Sequence, residues 1–225
     1  AKDRVQTLQQ LKIHLKICGL RRPEDVAYAN EVQPDFAGFV FASSKRQVTR
    51  EEAAELVEQL DPRIHTVGVF VDQPVDFIAE LLAAGVIEYA QLHGSEDAAY
   101  IEALRKRTAL LGKTARIIKT VKVGSTADLE NISEIDCEYL LLDAWSKEGE
   151  AAGGNGRTFD WSLIKALEKP FFLAGGLTVD NVQQAVRMTS PYGIDASSCM
   201  ETEDCKDLNK MKAFAQAVPV TETNN

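Results

Sequence analysis

Metal-binding residues are sparse in this chain of 225 residues. Its three histidines, His14, His65 and His93, lie far apart, which excludes a helical HExxH zinc site. The four cysteines, Cys18, Cys137, Cys199 and Cys205, form no CxxC pair and are too few for a disulfide scaffold at this length, so reduced thiols and no metal are expected. Long apolar runs are missing too: none approaches the ~20 residues of a bilayer span, and no membrane partner is expected. Basic charge is in deficit, with 25 Lys and Arg against 34 Asp and Glu and a net charge of -9, so no field draws in nucleic acid. Residues 1–12 carry early charges and lack the apolar stretch and cleavage site of a secretory signal, which makes the cytoplasm the expected location.

What the chain does have is a repeated pattern. Short runs rich in β-branched and aromatic residues recur at Ile13 to Cys18, Phe36 to Phe41, His65 to Val71, Ile87 to His93, Arg116 to Val121, Tyr139 to Asp143, Phe171 to Ala174 and Gly193 to Ala196. They are too short for helices and too continuously apolar for strands wetted on one face, so they read as parallel strands buried on both sides. Amphipathic stretches separate them: Pro23 to Glu31, Arg50 to Leu60, Val75 to Ala84, Asp97 to Arg107, Trp161 to Leu167, Val179 to Met188 and Asp207 to Ala217. Thr49, Asp72, Ser95 and Thr178 are placed to cap helix starts and Gly85 to close a helix end. The fifth unit is thin, with only Thr126 to Ile132 available for a helix.

Successive runs end roughly 22 to 32 residues apart, which is one strand plus one helix repeated eight times. That predicts a single-domain α/β chain folded as a (β/α)₈ barrel over residues 1–225, with 1–12 as an N-terminal extension and a tail that frays from 219 to 225. The rival, an open doubly wound sheet, usually shows a glycine fingerprint after its first strand, and Cys18-Gly19-Leu20 does not supply one.

In such a barrel, chemistry gathers where the strands end. That position selects Cys18, Arg46, His93, Asp143, the run holding Gly154 and Gly156, Gly175 with Gly176, and Asp195 with Ser197 and Ser198. A thiolate at Cys18 can serve as nucleophile or base, though a lone cysteine is as well read as a small buried apolar residue. Asp143 closes an apolar run that would raise its pKa and keep it protonated as an acid; a turn or cap aspartate is the other reading. Arg46 offers a two-pronged grip on a carboxylate, although exposed loop arginines are commoner. The small residues at Gly175-Gly176 and the donors at Ser197-Ser198 suit an anion held by the seventh and eighth loops, a frequent phosphate site in barrels. His93 is a hydrogen-bond donor to a ligand or a satisfied structural histidine, and the segment of Gly154 and Gly156 a flap or a linker.

Several strings in order resemble phosphoribosylanthranilate isomerases: Lys16-Ile17-Cys18-Gly19-Leu20, Gly38-Phe39-Val40-Phe41, Gly68-Val69-Phe70-Val71, Gln91-Leu92-His93-Gly94, Leu141-Leu142-Asp143, the run from Gly153 to Trp161, Leu173-Ala174-Gly175-Gly176-Leu177, and Gly193 to Ser198. The resemblance spans about Lys16 to Phe214. It implies a (β/α)₈ isomerase of tryptophan biosynthesis that works without metal or organic cofactor on a small phosphorylated substrate, as monomer or homodimer. It further implies that Asp143 protonates the furanose ring oxygen, that Cys18 removes the C2 proton, and that Arg46 holds the anthranilate carboxylate. His93, Gly154, Gly156, Gly175, Gly176, Asp195, Ser197 and Ser198 would complete the substrate site. The chain departs from the family pattern with Lys45 in place of a proline before Arg46, and with Cys199 and Cys205 in place of glycines. Alternatives are another phosphate-binding barrel isomerase, whose sugar-phosphate relatives place an aspartate where Cys18 stands, or a phosphometabolite sensor without turnover.

Overall fold

A computed structural model of the protein describes residues 10–144, 161–164 and 167–222. After a short strand β1 (Gln10–Lys12) the chain enters β2 (His14–Cys18), α1 (Pro23–Val32), β3 (Phe36–Val40), α2 (Arg50–Glu58), β4 (His65–Phe70), α3 (Val75–Ala83), β5 (Tyr89–Leu92), α4 (Ala98–Leu110) and β6 (Arg116–Val123). Two 3₁₀ turns, Thr126–Leu129 and Ile132–Glu134, stand where the fifth helix would be, which agrees with the thin fifth unit. Then come β7 (Tyr139–Ala144), a 3₁₀ turn at Trp161–Leu163, β8 (Phe171–Ala174), α5 (Val182–Thr189) and β9 (Gly193–Ala196). A 3₁₀ turn at Ser198–Met200, the hairpin β10 (Glu201–Thr202) and β11 (Cys205–Lys206), α6 (Leu208–Ala217) and β12 (Val220–Glu222) complete it.

Strands β2 to β9 pair in parallel, each with its successor, and β9 returns to β2 with Lys16 opposite Asp195, so the sheet is a closed barrel of eight strands. Alternation along each strand sorts side chains between two cores. Outward residues such as Leu15, Ile17, Phe39, Leu140 and Leu142 pack under the helices. Inward residues Phe36, Val67, Tyr89, Ile118, Leu141, Phe172 and Ala174 fill the barrel, with Tyr139 and Tyr192 against them. Each fully buried large side chain of this kind contributes ~1.5–3 kcal/mol.

Local chemistry explains where the elements begin. Thr49 caps α2 as expected: its hydroxyl accepts from Glu52 N at 3.1 Å while the Glu52 carboxylate takes Thr49 N at 2.8 Å. Gly85 follows α3 at φ 73, a left-handed conformation that suits glycine. Asp72 and Ser95 do not cap helices. Pro74 and Asp97 hold those places, because Asp72 is taken by the N–H and hydroxyl of Ser95, each at 2.9 Å. Likewise α5 starts at Val182 rather than Val179, since the Asn181 side chain bonds Thr178 N and Gly176 O and keeps residues 176–181 in a turn. The helix expected over Trp161 to Leu167 is a single 3₁₀ turn in its described part. Nor does the tail simply fray from Pro219: β12 pairs antiparallel with β1 inside the expected extension, Lys12 opposite Val220 and Gln10 opposite Glu222, so the two ends satisfy each other's backbone. No helix among the described residues is long and apolar enough to cross a membrane.

Candidate active site

The site starts at the end of β2. Lys16 and Cys18 are two residues apart and so point to the same side, into the barrel. Room for the thiol comes from β3, where Gly38 lies opposite Cys18 and a Cβ would stand 2.7 Å from Sγ. Lys16 is fully buried and its Nζ lies 2.8 Å from Asp195 Oδ1 on β9. Burial pulls the Lys16 pKa down, but Asp195 and the Cys18 sulfur outweigh it, so the group remains an ammonium. Burial pushes the Cys18 thiol up, against the pull of Lys16. The thiol therefore rests protonated beside the cation that would steady its thiolate.

Asp143, on β7, faces the same mouth. Burial, with the negative charge of Asp195, raises it to about 6, partly offset by Lys122. His93, just past β5, brings Nε2 to 3.7 Å from Asp143 Oδ2. Its Nδ1 lies 3.2 Å from the Gln91 amide nitrogen and 3.0 Å from Thr120 Oγ1. With the amide donating, Nδ1 is the acceptor and the ring hydrogen sits on Nε2, facing the carboxylate. Burial lowers the His93 pKa, so at neutral pH the ring is uncharged.

The glycine loop after β8 holds Gly175 at φ 93 and Gly176 at φ 65, conformations that turn the backbone sharply at the barrel mouth. Beyond β9, the Ser197 hydroxyl donates to Cys18 O at 2.9 Å, tying the closing strand to the first. Ser198 opens the 3₁₀ turn that contains Cys199. Cys199 is not among the residues with positive φ, so this turn does not demand a glycine there. Gly154 and Gly156 lie outside the described residues.

Two expected ligand contacts are found in internal pairs. Asp195 is bound to Lys16, as above. Arg46 has folded over Gly19, where a Cβ would stand 2.5 Å from its Cδ, and its Nε and Nη2 each lie 2.7 Å from an oxygen of Glu201. Burial would raise Glu201, yet Arg46 and Lys206 carry it down to about 2. Sequence reading passed over Lys16, Gln91, Glu201 and Lys206. Lys16 and Gln91 left a signal: each is a polar residue within a run read as a buried strand, in phase with Cys18 and His93 respectively.

Residues 15–217 match the family described as PRAI, N-(5'phosphoribosyl)anthranilate (PRA) isomerase. The chain belongs to that family. The N-(5'-phosphoribosyl)anthranilate isomerase of Acetivibrio thermocellus is 44% identical over 211 residues, covering 91% of this chain and 94% of the relative. That of Thermoanaerobacter sp. is 41% identical over 208 residues, covering 92% and 98%. Among solved structures, the phosphoribosyl anthranilate isomerase of Thermotoga maritima superposes with a TM-score of 0.79 at 32% identity, over 92% of this chain and 98% of that one. A family structure in complex with reduced 1-(o-carboxyphenylamino)-1-deoxyribulose 5-phosphate gives a TM-score of 0.76 at 30% identity, with the same coverage. The family's barrel and the eight-stranded barrel built above are the same architecture.

Proposed function

We infer that the chain isomerises N-(5'-phosphoribosyl)anthranilate to 1-(2-carboxyphenylamino)-1-deoxyribulose 5-phosphate, the Amadori rearrangement of tryptophan biosynthesis, with Asp143 as acid and Cys18 as base. The observation that carries the residue roles is that both groups project inward from strand ends into one mouth, with Lys16 and Asp195 beside them. Asp143 gives its proton to the furanose ring oxygen as the C1–O bond breaks, and the anthranilate nitrogen shares its electron pair with C1 to form an iminium. The C2 proton then becomes acidic. The Cys18 thiolate removes it, the C–H pair forms the C1=C2 bond of an enolamine, and the iminium nitrogen is neutralised. Protonation at C1 and loss of the C2 hydroxyl proton leave the ketone. The new cation forms near Cys18, and the Lys16 ammonium adds to it, so the thiolate is favoured when it is needed. The Nε2–H of His93 steadies the carboxylate that Asp143 becomes.

Gly175, Gly176, Ser197 and Ser198 would hold the phosphate, far enough from C2 for its binding energy to position the reacting carbon. Arg46 would hold the anthranilate carboxylate. Residence in the cytoplasm and a monomeric or dimeric assembly complete the proposal; a Thermotoga maritima relative is described as dimeric.

Loss of fluorescence from freshly made substrate reports turnover. Cys18→Ala and Asp143→Asn are each expected to lower kcat by ~10²–10⁴-fold with KM nearly unchanged. Undiminished turnover in either variant rejects that residue's role. Binding without turnover in the unaltered protein would instead make it a sensor.

A further inference from the structure

Beside the proton-transfer pair lies a second charged cluster. After the 3₁₀ turn Ser198–Met200, β10 and β11 form a hairpin whose two loop residues, Glu203 and Asp204, both adopt positive φ, at 50° and 61°. That is the two-residue turn matching the twist of paired strands, and here it is made without glycine. Its product is a register in which Glu201 stands opposite Lys206. The Lys206 side chain is 1% exposed, and its Nζ reaches Glu201 Oε1 at 2.8 Å, Ser197 O at 3.1 Å and Ser197 Oγ at 3.2 Å. An ammonium has three donors, and all three are used.

Glu201 thus has one cation behind it and a second in front. Both of its oxygens take the Nε and Nη2 edge of Arg46. This edge-on contact is the strongest a guanidinium makes with a carboxylate, and it fixes the plane and roll of the group. The Nη1 side remains uncommitted among the described residues. A buried cation, Lys206, and a partly exposed one, Arg46, share one carboxylate, so the cluster keeps an excess of one positive charge. That charge sits over Gly19, the residue after Cys18.

We propose that Glu201 is a positioning residue that sets selectivity for an aryl carboxylate: by gripping one edge of Arg46 it presents the Nη1 side, with the cluster's unspent charge, to that group of the substrate. The proposal rests on the reading above that Arg46 receives the anthranilate carboxylate. Arg46 sits on a loop, and without Glu201 its long side chain would spread over many rotamers, so the grip prepays the ordering that binding would otherwise require.

The test compares two substrates, N-(5'-phosphoribosyl)anthranilate and its analogue without the carboxylate, N-(5'-phosphoribosyl)aniline, in the unaltered protein, Glu201→Gln and Arg46→Ala. Glu201→Gln keeps the shape and an oxygen for Lys206 while weakening the grip. It is expected to raise KM for the anthranilate substrate about tenfold, to leave kcat within about threefold, and to leave both constants for the aniline substrate unchanged. An equal loss on both substrates would mean a staple of the rim and nothing more, and no loss on either would also overturn the proposal. If Arg46→Ala fails to raise KM selectively for the carboxylated substrate, the reading of Arg46 itself is wrong. If Arg46→Ala is selective and Glu201→Gln is not, only the positioning role fails. Should Glu201→Gln not fold, Glu201→Gln with Lys206→Met removes the buried ammonium that has lost its counter-charge, and the same split between substrates is expected.

Discussion

The two ends of the barrel interior are made from the same strands and obey opposite rules. At the floor, His14, Phe36, Tyr89, Tyr139, Phe172 and Tyr192 interlock: His14 stacks on Tyr192 with ring centres 4.2 Å apart, Phe36 meets Phe172 edge-on at 5.2 Å, and the Tyr139 hydroxyl donates to the Tyr192 hydroxyl oxygen at 3.2 Å. His65 reaches Glu88 at 2.7 Å. Polar tips there are paired and ring faces are covered, which is how a core maximises stability. Two or four residues onward along the same strands stand Lys16, Cys18, Gln91, His93 and Asp143. There a thiol and a carboxyl are both pushed toward their neutral forms by burial, and an ammonium is fully desolvated. The mouth carries the electrostatic cost of reactivity and the floor holds the strands that bear it.

Variants on each side sharpen this contrast. The largest shift belongs to the floor. Phe172→Ala removes a fully buried ring against which Gly193 packs, and is expected to cost ~3–5 kcal/mol of stability in denaturant titration. Its kcat, measured where the protein is folded, should stay within a few-fold. A kcat loss as large as that of Asp143→Asn would show that floor and mouth are not separable. At the mouth, Lys16→Met keeps the length of the side chain and removes the cation nearest Cys18. We expect kcat to fall by ~10²-fold. Alkylation of Cys18, followed by mass spectrometry at fixed pH, should slow alongside it, since the thiolate is the reactive form. If kcat falls while alkylation does not, Lys16 acts on something other than the thiol.

The strands were readable because a strand buried on both faces is a short apolar run, and that signal is local. Phe171–Ala174 and Gly193–Ala196 have the bounds expected from sequence; the other barrel strands differ by one or two residues at one end, except β5, which is shorter at both. Caps were less readable. Asp72, Ser95 and Thr178 are good capping types, but which of them caps depends on loop partners that composition does not specify. The placement of Cys18 and Asp143 at strand ends followed from the barrel rule. The pairings of Lys16 with Asp195 and of Arg46 with Glu201 join residues 179 and 155 positions apart. They exist only once β9 has closed on β2, so no window of sequence holds both partners. For this reason Arg46 and Asp195 read as groups awaiting a ligand, although the fold has given each a carboxylate or ammonium of its own.

The pH profile tests the mouth with a smaller effect and an unusual sign. Catalysis as proposed needs Asp143 protonated and Cys18 ionised. Burial has moved the two in the same direction, to about 6 for Asp143 and above the ordinary thiol range for Cys18, so the acid titrates below the base. Between those values each unit of pH multiplies the thiolate fraction tenfold and divides the protonated Asp143 fraction by the same factor. The productive form is therefore scarce but constant there. Below about pH 6, Asp143 gains no further proton while the thiolate continues to vanish, so kcat/KM should fall about tenfold per unit; it should fall again once Cys18 is fully ionised and only the loss of protonated Asp143 remains. Steady-state kcat/KM against pH is expected to show a broad plateau bounded by an acid limb near 6. In Lys16→Met the alkaline limb should move up, because the thiolate has lost its cation, while the acid limb moves little. An acid limb at the usual carboxylate value, unmoved by burial, would mean that Asp143 in the working enzyme is not the desolvated group that faces His93, and would remove the physical basis for its role as the acid.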